Sequence, residues 1–265
     1  MSAPAEPVPV GPPPGPVAAS PAPTGGASAT PAPAVSPPAD ADRPAPDDQP
    51  GPVPLAAVVD LLGLVAYGEL LAFDRMAADA RLAPDLTRRA VLSEMAAVEI
   101  QNYRRLADRL TVLGAAPDEA MSPFVPALQS YHDSTEPKDW LEALTKAYVG
   151  DGIADDFLRE MAACLDEPDR RLVLDVLHDS RYDKFAGQEI RLAIAADPKV
   201  VDRLSMWARR LVGEGISQAV RVAGERNALA ALIGTGPDQQ TGVPALFKRL
   251  TATHSARMTA VGLNN

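Results

Sequence analysis

The sequence predicts an all-α fold: a four-helix bundle with one or two additional C-terminal helices, behind a disordered N-terminal arm. Three features carry that expectation. Eighteen of the 27 prolines lie in the first 54 of 265 residues. From Leu55 onward, apolar residues recur at i, i+3, i+4 and i+7 over stretches of helical length. No run alternates with the period of two that marks a half-buried strand.

The arm, residues 1–52, mixes its prolines with Ala, Gly, Ser and Thr and has no aromatic residue. Such a composition buries too little apolar surface to offset the entropy of ordering it. It reads as a tether or solubilising tail, with a PxxP-type partner ligand as the other reading. The domain that follows, residues 53–263, is long enough for a sizeable core.

The first helix spans about 55–81 on a stripe of Leu55, Val58, Val59, Leu62, Val65, Ala66, Phe73 and Met76. Pro84 and Asp85 separate it from a second, about 85–113, whose stripe is Val91, Met95, Val98, Leu106, Leu110 and Leu113, with Gly114 as its stop. A link of roughly 23 residues, 114–137, holds Pro117, Pro123 and Pro126, with a short helical turn at 123–132. The third helix runs from Pro137 to about Leu165 and the fourth from Pro168, a favourable first-turn proline, to about Ala196. A fifth segment, 199–233, is interrupted by Gly213, Gly215 and Gly224. A loop at 234–242 leads to a sixth helix at about 244–261. Four long helices with short 1–2 and 3–4 connections and a longer 2–3 link describe a bundle.

Composition narrows the function. Cys164 is the single cysteine, so a disulfide framework and a Cys-based zinc site are both excluded. His132, His178 and His254 are too few for a His-rich metal site. No apolar run approaches the ~20 residues of a membrane span, and the N-terminus has no secretory signal pattern. The expectation is a soluble cytoplasmic protein with no membrane partner. A net charge of -10 without a basic run argues against nucleic acid. Arg209-Arg210 and Lys248-Arg249 read as ordinary solvated pairs, and Trp140 and Trp207 as packing residues.

The chemical signal is acid on the apolar stripes. Glu69 lies seven residues after Leu62, and Glu99 four after Met95, with Asn102 between Val98 and Leu106. Asp151 is seven from both Leu144 and Leu158, Asp155 is one turn on, and Asp179 shares a stripe with Val176, Tyr182 and Ala186. Buried carboxylates are costly unless paired, protonated or bound to metal. Carboxylates converging from four helices are the layout of a carboxylate-bridged di-metal site, whose complete form carries Glu-x-x-His on two helices. Here Asn102 and Tyr182 stand where the imidazoles would. Asp175-x-x-His178 is a true acid-x-x-His pair, but it would shift the site ~6 Å along the axis. The other reading is a set of buried acids satisfied by Asn102, Tyr182, arginines or water.

The runs Gly150-Asp151-Gly152-Ile153-Ala154-Asp155-Asp156-Phe157, Glu99-x-x-Asn102-Tyr103 and Thr253-His254-Ser255-Ala256-Arg257-Met258-Thr259-Ala260-Val261-Gly262-Leu263 resemble the bacterial ferritin-like proteins related to tRNA-isopentenyladenosine hydroxylase (MiaE-like). The resemblance implies a ferritin-like bundle over about 55–263. In active members a di-iron centre activates dioxygen to hydroxylate a prenylated tRNA base. By position, the resemblance makes Glu69, Glu99, Asp151 (or Asp155) and Asp179 the iron ligands. It places Asn102 and Tyr182 at the two histidine positions, and this departure puts dioxygen chemistry in question. Two functions are open. One is a degenerate, non-catalytic or weakly metal-binding bundle acting as a structural or interaction module, such as a homodimer. The other is an active di-iron oxygenase acting on a tRNA base or a small substrate. A tyrosine at 182 beside such a centre could also be redox-active, against the reading of a core tyrosine bonded to a carboxylate.

Overall fold

Each segment expected to be helical contains helix in the computed structural model, which describes residues 53–177, 180–235 and 242–265. The expected arm, His178, Asp179 and residues 236–241 lie outside the described residues, and among these there is no strand. Helix α1 (Leu55–Asp79) begins at Pro54, whose carbonyl receives the amides of Ala57 and Val58. It ends in a 3₁₀ turn, Ala80–Leu82. Helix α2 (Leu86–Val112) is N-capped by Asp85, which accepts from the Arg88 amide at 2.8 Å. It stops at Gly114, whose φ of 81° permits two closing bonds, Ala115 N–H to Leu110 and Gly114 N–H to Thr111. The buried face of α2 is Leu92, Ala96, Glu99, Leu106 and Leu110. This is a correction to the expected stripe, turned by about one residue: Val98 points outward.

The 2–3 link is more ordered than expected. It contains α3 (Pro117–Met121), a 3₁₀ turn and α4 (Val125–Ser134). The expected third helix is α5 (Trp140–Thr145), a π-helical turn (Lys146–Asp151) and α6 (Gly152–Ala162) in one continuous run. The fourth is broken: α7 (Asp169–Val176) ends as Leu177 turns extended at ψ 146°, and α8 (Ser180–Ala196) follows. The fifth is corrected in the other direction. Gly213, Gly215 and Gly224 do not interrupt α9 (Val200–Glu225); the break falls at Arg226, before α10 (Asn227–Thr235). Helix α11 (Gly242–Ala260) is closed by Gly262 at φ 81°.

Leu55–Leu82 corrects one exclusion. By length and composition its 28 residues could cross a membrane, yet 61% of its most apolar stretch is buried inside the bundle. The burial goes into two separate apolar cores. One joins Leu61, Leu62 and Val65 of α1 to Leu106 and Leu110 of α2, Phe124, Met161, Val173 and Leu232. The other joins Met76, Leu92, Ala96, Leu144, Val149, Ala186, Ile190, Leu204 and Met258. Each such Val, Leu, Ile, Phe or Met side chain stabilises by about 1.5–3 kcal/mol on burial.

Helix α3 packs on α1 through Gly63. A Cβ there would lie 2.3 Å from the Ala120 carbonyl oxygen, a contact with backbone that cannot swing aside. Gly68, five residues on, has nothing within 4 Å of the same position. Gly63→Ala is therefore expected to destabilise by about 2–3 kcal/mol. Gly68→Ala, gaining helix propensity in open space, should be neutral to about 1 kcal/mol stabilising. Urea unfolding of the two variants beside the wild type checks the pair.

Candidate functional site

The residues expected to carry chemistry fall where the two cores part. On α1, Glu69 lies between Ala66 of the first core and Met76 of the second. On α2, Glu99 and Asn102 lie between Ala96 and Leu106. On the third helix, Asp151 and Asp155 separate Val149 from Met161, while Tyr182 belongs to the second core at the end that follows Leu177 of the first. Glu69 is 4% exposed and Glu99 and Tyr182 are 5% exposed. Asp155 is buried and Asp151 half-buried. A polar layer thus crosses the bundle at mid-height.

Two contacts define it on the α1–α2 side. The Asn102 Nδ2 donates to Glu69 Oε2 at 3.3 Å and to the Val176 carbonyl at 3.1 Å. Both neighbours are acceptors, so the amide must present its NH₂ group to them. Tyr182 shares the layer. Burial, and then the negative charges of Asp151, Asp79 and Glu99, push its hydroxyl well above the ordinary range, so it stays protonated. Asp179 and His178 lie outside the described residues. Asp175 lies apart from the layer, as the shift along the axis expected for the Asp175/His178 pair requires, and its partner His178 is outside the described residues. Asp175 is exposed on α7 and pairs with Arg105 at 3.3 Å.

A second group of polar residues adjoins this layer, none of them expected from the sequence. Lys146 is buried, with Nζ donating to the Thr135 carbonyl at 2.8 Å and standing 5.4 Å over the Tyr131 ring. Burial pushes its ammonium down to about 8, against the pull of Asp151 and Asp79. Burial likewise pushes the Asp79 carboxyl up to about 6, against Lys146 and Arg75. His132 is driven down to about 3 by burial and by the same two cations, so its ring is neutral. Asp79 had a readable signal, since it lies three residues after Met76 on the inward stripe. Lys146 lies off the apolar stripe and is buried because this stretch of helix, residues 142–150, is buried on every face.

The closing sequence motif and the Gly150–Phe157 run meet across α6 and α11. A Cβ on Gly152 would lie 2.6 Å from Arg257 Nε and 2.7 Å from Cζ, so the guanidinium lies flat on that glycine. Arg257 also donates to Asp156 at 2.9 Å, and Arg249 grips both oxygens of Glu160 at 2.8 and 2.9 Å. Arg249 is therefore a clamp rather than a member of a solvated pair. Arg209 and Arg210 also bond, to the carbonyls of Asn264 and Ser134. Trp140 packs in the second core, while the Trp207 indole N–H donates to the Glu142 carbonyl at 3.0 Å.

Residues 55–236 match the family described as ferritin-like domain, actinomycetes. The chain belongs to this ferritin-like family. Among solved structures it is similar to a Synechococcus protein described as having aldehyde deformylating oxidase activity, at a TM-score of 0.60 and 18% identity, over 80% of this chain and 94% of that one. At that identity the likeness concerns the fold. No curated protein matches by sequence.

Two of the residues expected at a metal centre, His178 and Asp179, lie outside the described residues of this ferritin-like domain. Among them, no three His, Cys, Asp or Glu side chains gather as a metal-holding group. The Asn102 amide also meets Glu69 with its hydrogens rather than with a lone pair.

Asp79 supplies a pH test. Its folded value, about 6, stands above its ordinary 3.8. Between roughly pH 4 and 6 the unfolded chain therefore releases this proton first, and folded stability falls as pH rises. The loss is complete about one unit above the folded value, near pH 7, and amounts to on the order of 3 kcal/mol. Asp79→Asn should lack this slope. Urea unfolding of both proteins at about pH 4 and about pH 7 measures it, and equal slopes would exclude Asp79 as the buried acid.

Proposed function

We propose that this protein is a ferritin-like bundle whose metal centre has degenerated, a non-catalytic or weakly metal-binding member whose mid-bundle carboxylates are held by the chain's own donors. The observation that supports it is the Asn102 amide. At the position where the resemblance to tRNA-isopentenyladenosine hydroxylase calls for an imidazole, Asn102 spends both amide hydrogens, on Glu69 and on the Val176 carbonyl. An amide oxygen is a weaker ligand than the imidazole it replaces. Tyr182, at the second imidazole position, stays protonated, and a neutral phenol is a weak ligand.

The second reading, an iron-dependent oxygenase acting on a tRNA base or a small substrate, draws support from Glu69 and Glu99. An apolar pair would be the cheaper occupant of a purely structural core, yet both acids remain buried. If iron were bound, Glu69 and Glu99 would be its carboxylates and it would supply dioxygen activation. The aldehyde oxidase activity in the description of the structural neighbour agrees with that class of chemistry. The chain's net charge of -10 favours a small substrate over a nucleic acid.

Metal analysis separates the two. Protein purified aerobically with iron supplied is expected to hold well below one iron per chain. About two irons per chain, with the absorption band of an oxo-bridged pair, would replace the first reading by the second. Asn102→His combined with Tyr182→His should raise iron content at least several-fold, because imidazole is the better ligand. No rise would show that these two positions do not face the metal-binding side of the layer.

A further inference from the structure

Helix α2 carries two sets of charges. Toward the bundle, Arg88 meets Glu189 at 2.5 Å, Arg105 meets Asp175 at 3.3 Å and Arg109 meets Asp169 at 2.6 Å. Away from the bundle, Arg89, Glu94, Arg104 and Asp108 are exposed, and none has an ion pair among the described residues. Leu86 and Val112, the first and last residues of the helix, are its most exposed large apolar side chains, at 80% and 74%. One outward strip joins them. Its members recur every eleven residues, as Leu86, Ala97 and Asp108 and again as Ala90, Gln101 and Val112, all of them exposed. Eleven residues complete about three turns, so the strip runs nearly straight along the helix.

Reversed end for end, this strip matches itself. A two-fold axis level with Glu99 sets residues equally distant from that position opposite each other. Leu86 and Val112 are each 13 positions away, Ala90 and Asp108 nine, Glu94 and Arg104 five, and Ala97 and Gln101 two. Across such an axis every contact occurs twice. Each Glu94 then faces an Arg104, and each Leu86 covers a Val112. Asp108 faces Ala90, beside which Arg89 supplies the opposite charge. A parallel pairing would instead set Glu94 against Glu94 and Arg104 against Arg104. The four charges sum to zero in a chain of net charge -10, so contact along the strip gathers no excess of one sign. Ala90 and Ala97 are small enough for the helix axes to approach to about 8 Å.

We propose that the outer strip of α2 is an interface for a second copy of this chain, packed antiparallel about that axis. The strip is ~39 Å long and about 10 Å wide. It covers roughly 400 Å² per copy, about half of a standard interface. The dimer is accordingly reversible, and its register is set by the charge pairs.

Sedimentation velocity of the full chain from about 5 to about 200 μM should show a monomer–dimer equilibrium. Glu94→Arg and Arg104→Glu each set like charges opposite one another at both pairs, and each should weaken the dimer at least about tenfold. The double variant Glu94→Arg/Arg104→Glu exchanges the two signs and should return to within about threefold of the wild type. Both side chains are exposed and without an ion pair, so the fold of the single chain does not depend on them. A chain that stays monomeric over this range overturns the proposal. So do single variants that dimerise as the wild type does, which would put the contact on another face, such as the exposed Met206, Ile216 and Val220 of α9. A double variant no tighter than the single ones overturns it as well, because the antiparallel register requires the rescue.

Discussion

Charge held away from water has to be balanced close by, and this bundle is arranged around that constraint. In a low-dielectric interior an unmatched carboxylate costs several kcal/mol. The helices place several of their acids near one level of the bundle, where a single donor can meet more than one element. Asn102 serves Glu69 and the open end of α7 at once, through the Val176 carbonyl. Lys146, buried beside the Tyr131 ring, is held by the Thr135 carbonyl at 2.8 Å. Because α1 and α2 each enter both apolar cores, the layer is bracketed above and below by packed hydrocarbon. Neither core assembles without bringing the polar residues into register.

A second set of charges works at the edges, and arginine supplies it. Arg226 closes the α9–α10 break on Asp60 of α1, Arg109 ties α2 to Asp169 of α7, and Arg88 ties α2 to Glu189 of α8. Arg109 and Arg249 meet their carboxylates through two nitrogens, the planar fork that lysine lacks. These pairs fix which helices are neighbours more than they add stability, since most are partly exposed. Helix α11 is the clearest case. Its placement on α6 depends on Arg249, Arg257 and the absence of a side chain at Gly152.

Much of this was legible from residue spacing, because the helical period is a local property. Glu69, Glu99 and Tyr182 lie on the expected faces, as the 3.6-residue repeat requires. The errors have physical causes. The period assumes an uninterrupted α-helix, and the count from Leu144 to Asp151 crosses the π turn. Asp151 is accordingly only half-buried, while Asp155, counted within α6, is buried. The glycines of α9 were expected to break it, yet each costs only about 1 kcal/mol, which packing elsewhere along a long helix can absorb. The role of Arg257 had no local signal, since it depends on a glycine 105 positions earlier.

The π turn has a further consequence, for how this chain is compared with its relatives. Closing a ring over five residues instead of four accommodates one residue more than the α-helical path requires. In the Lys146–Asp151 segment, that surplus residue is equivalent to a one-residue insertion inside a helix. A relative with a plain α-helix there will align correctly on one side of it and be offset by one on the other. An ungapped alignment would then pair Asp151 with the wrong column.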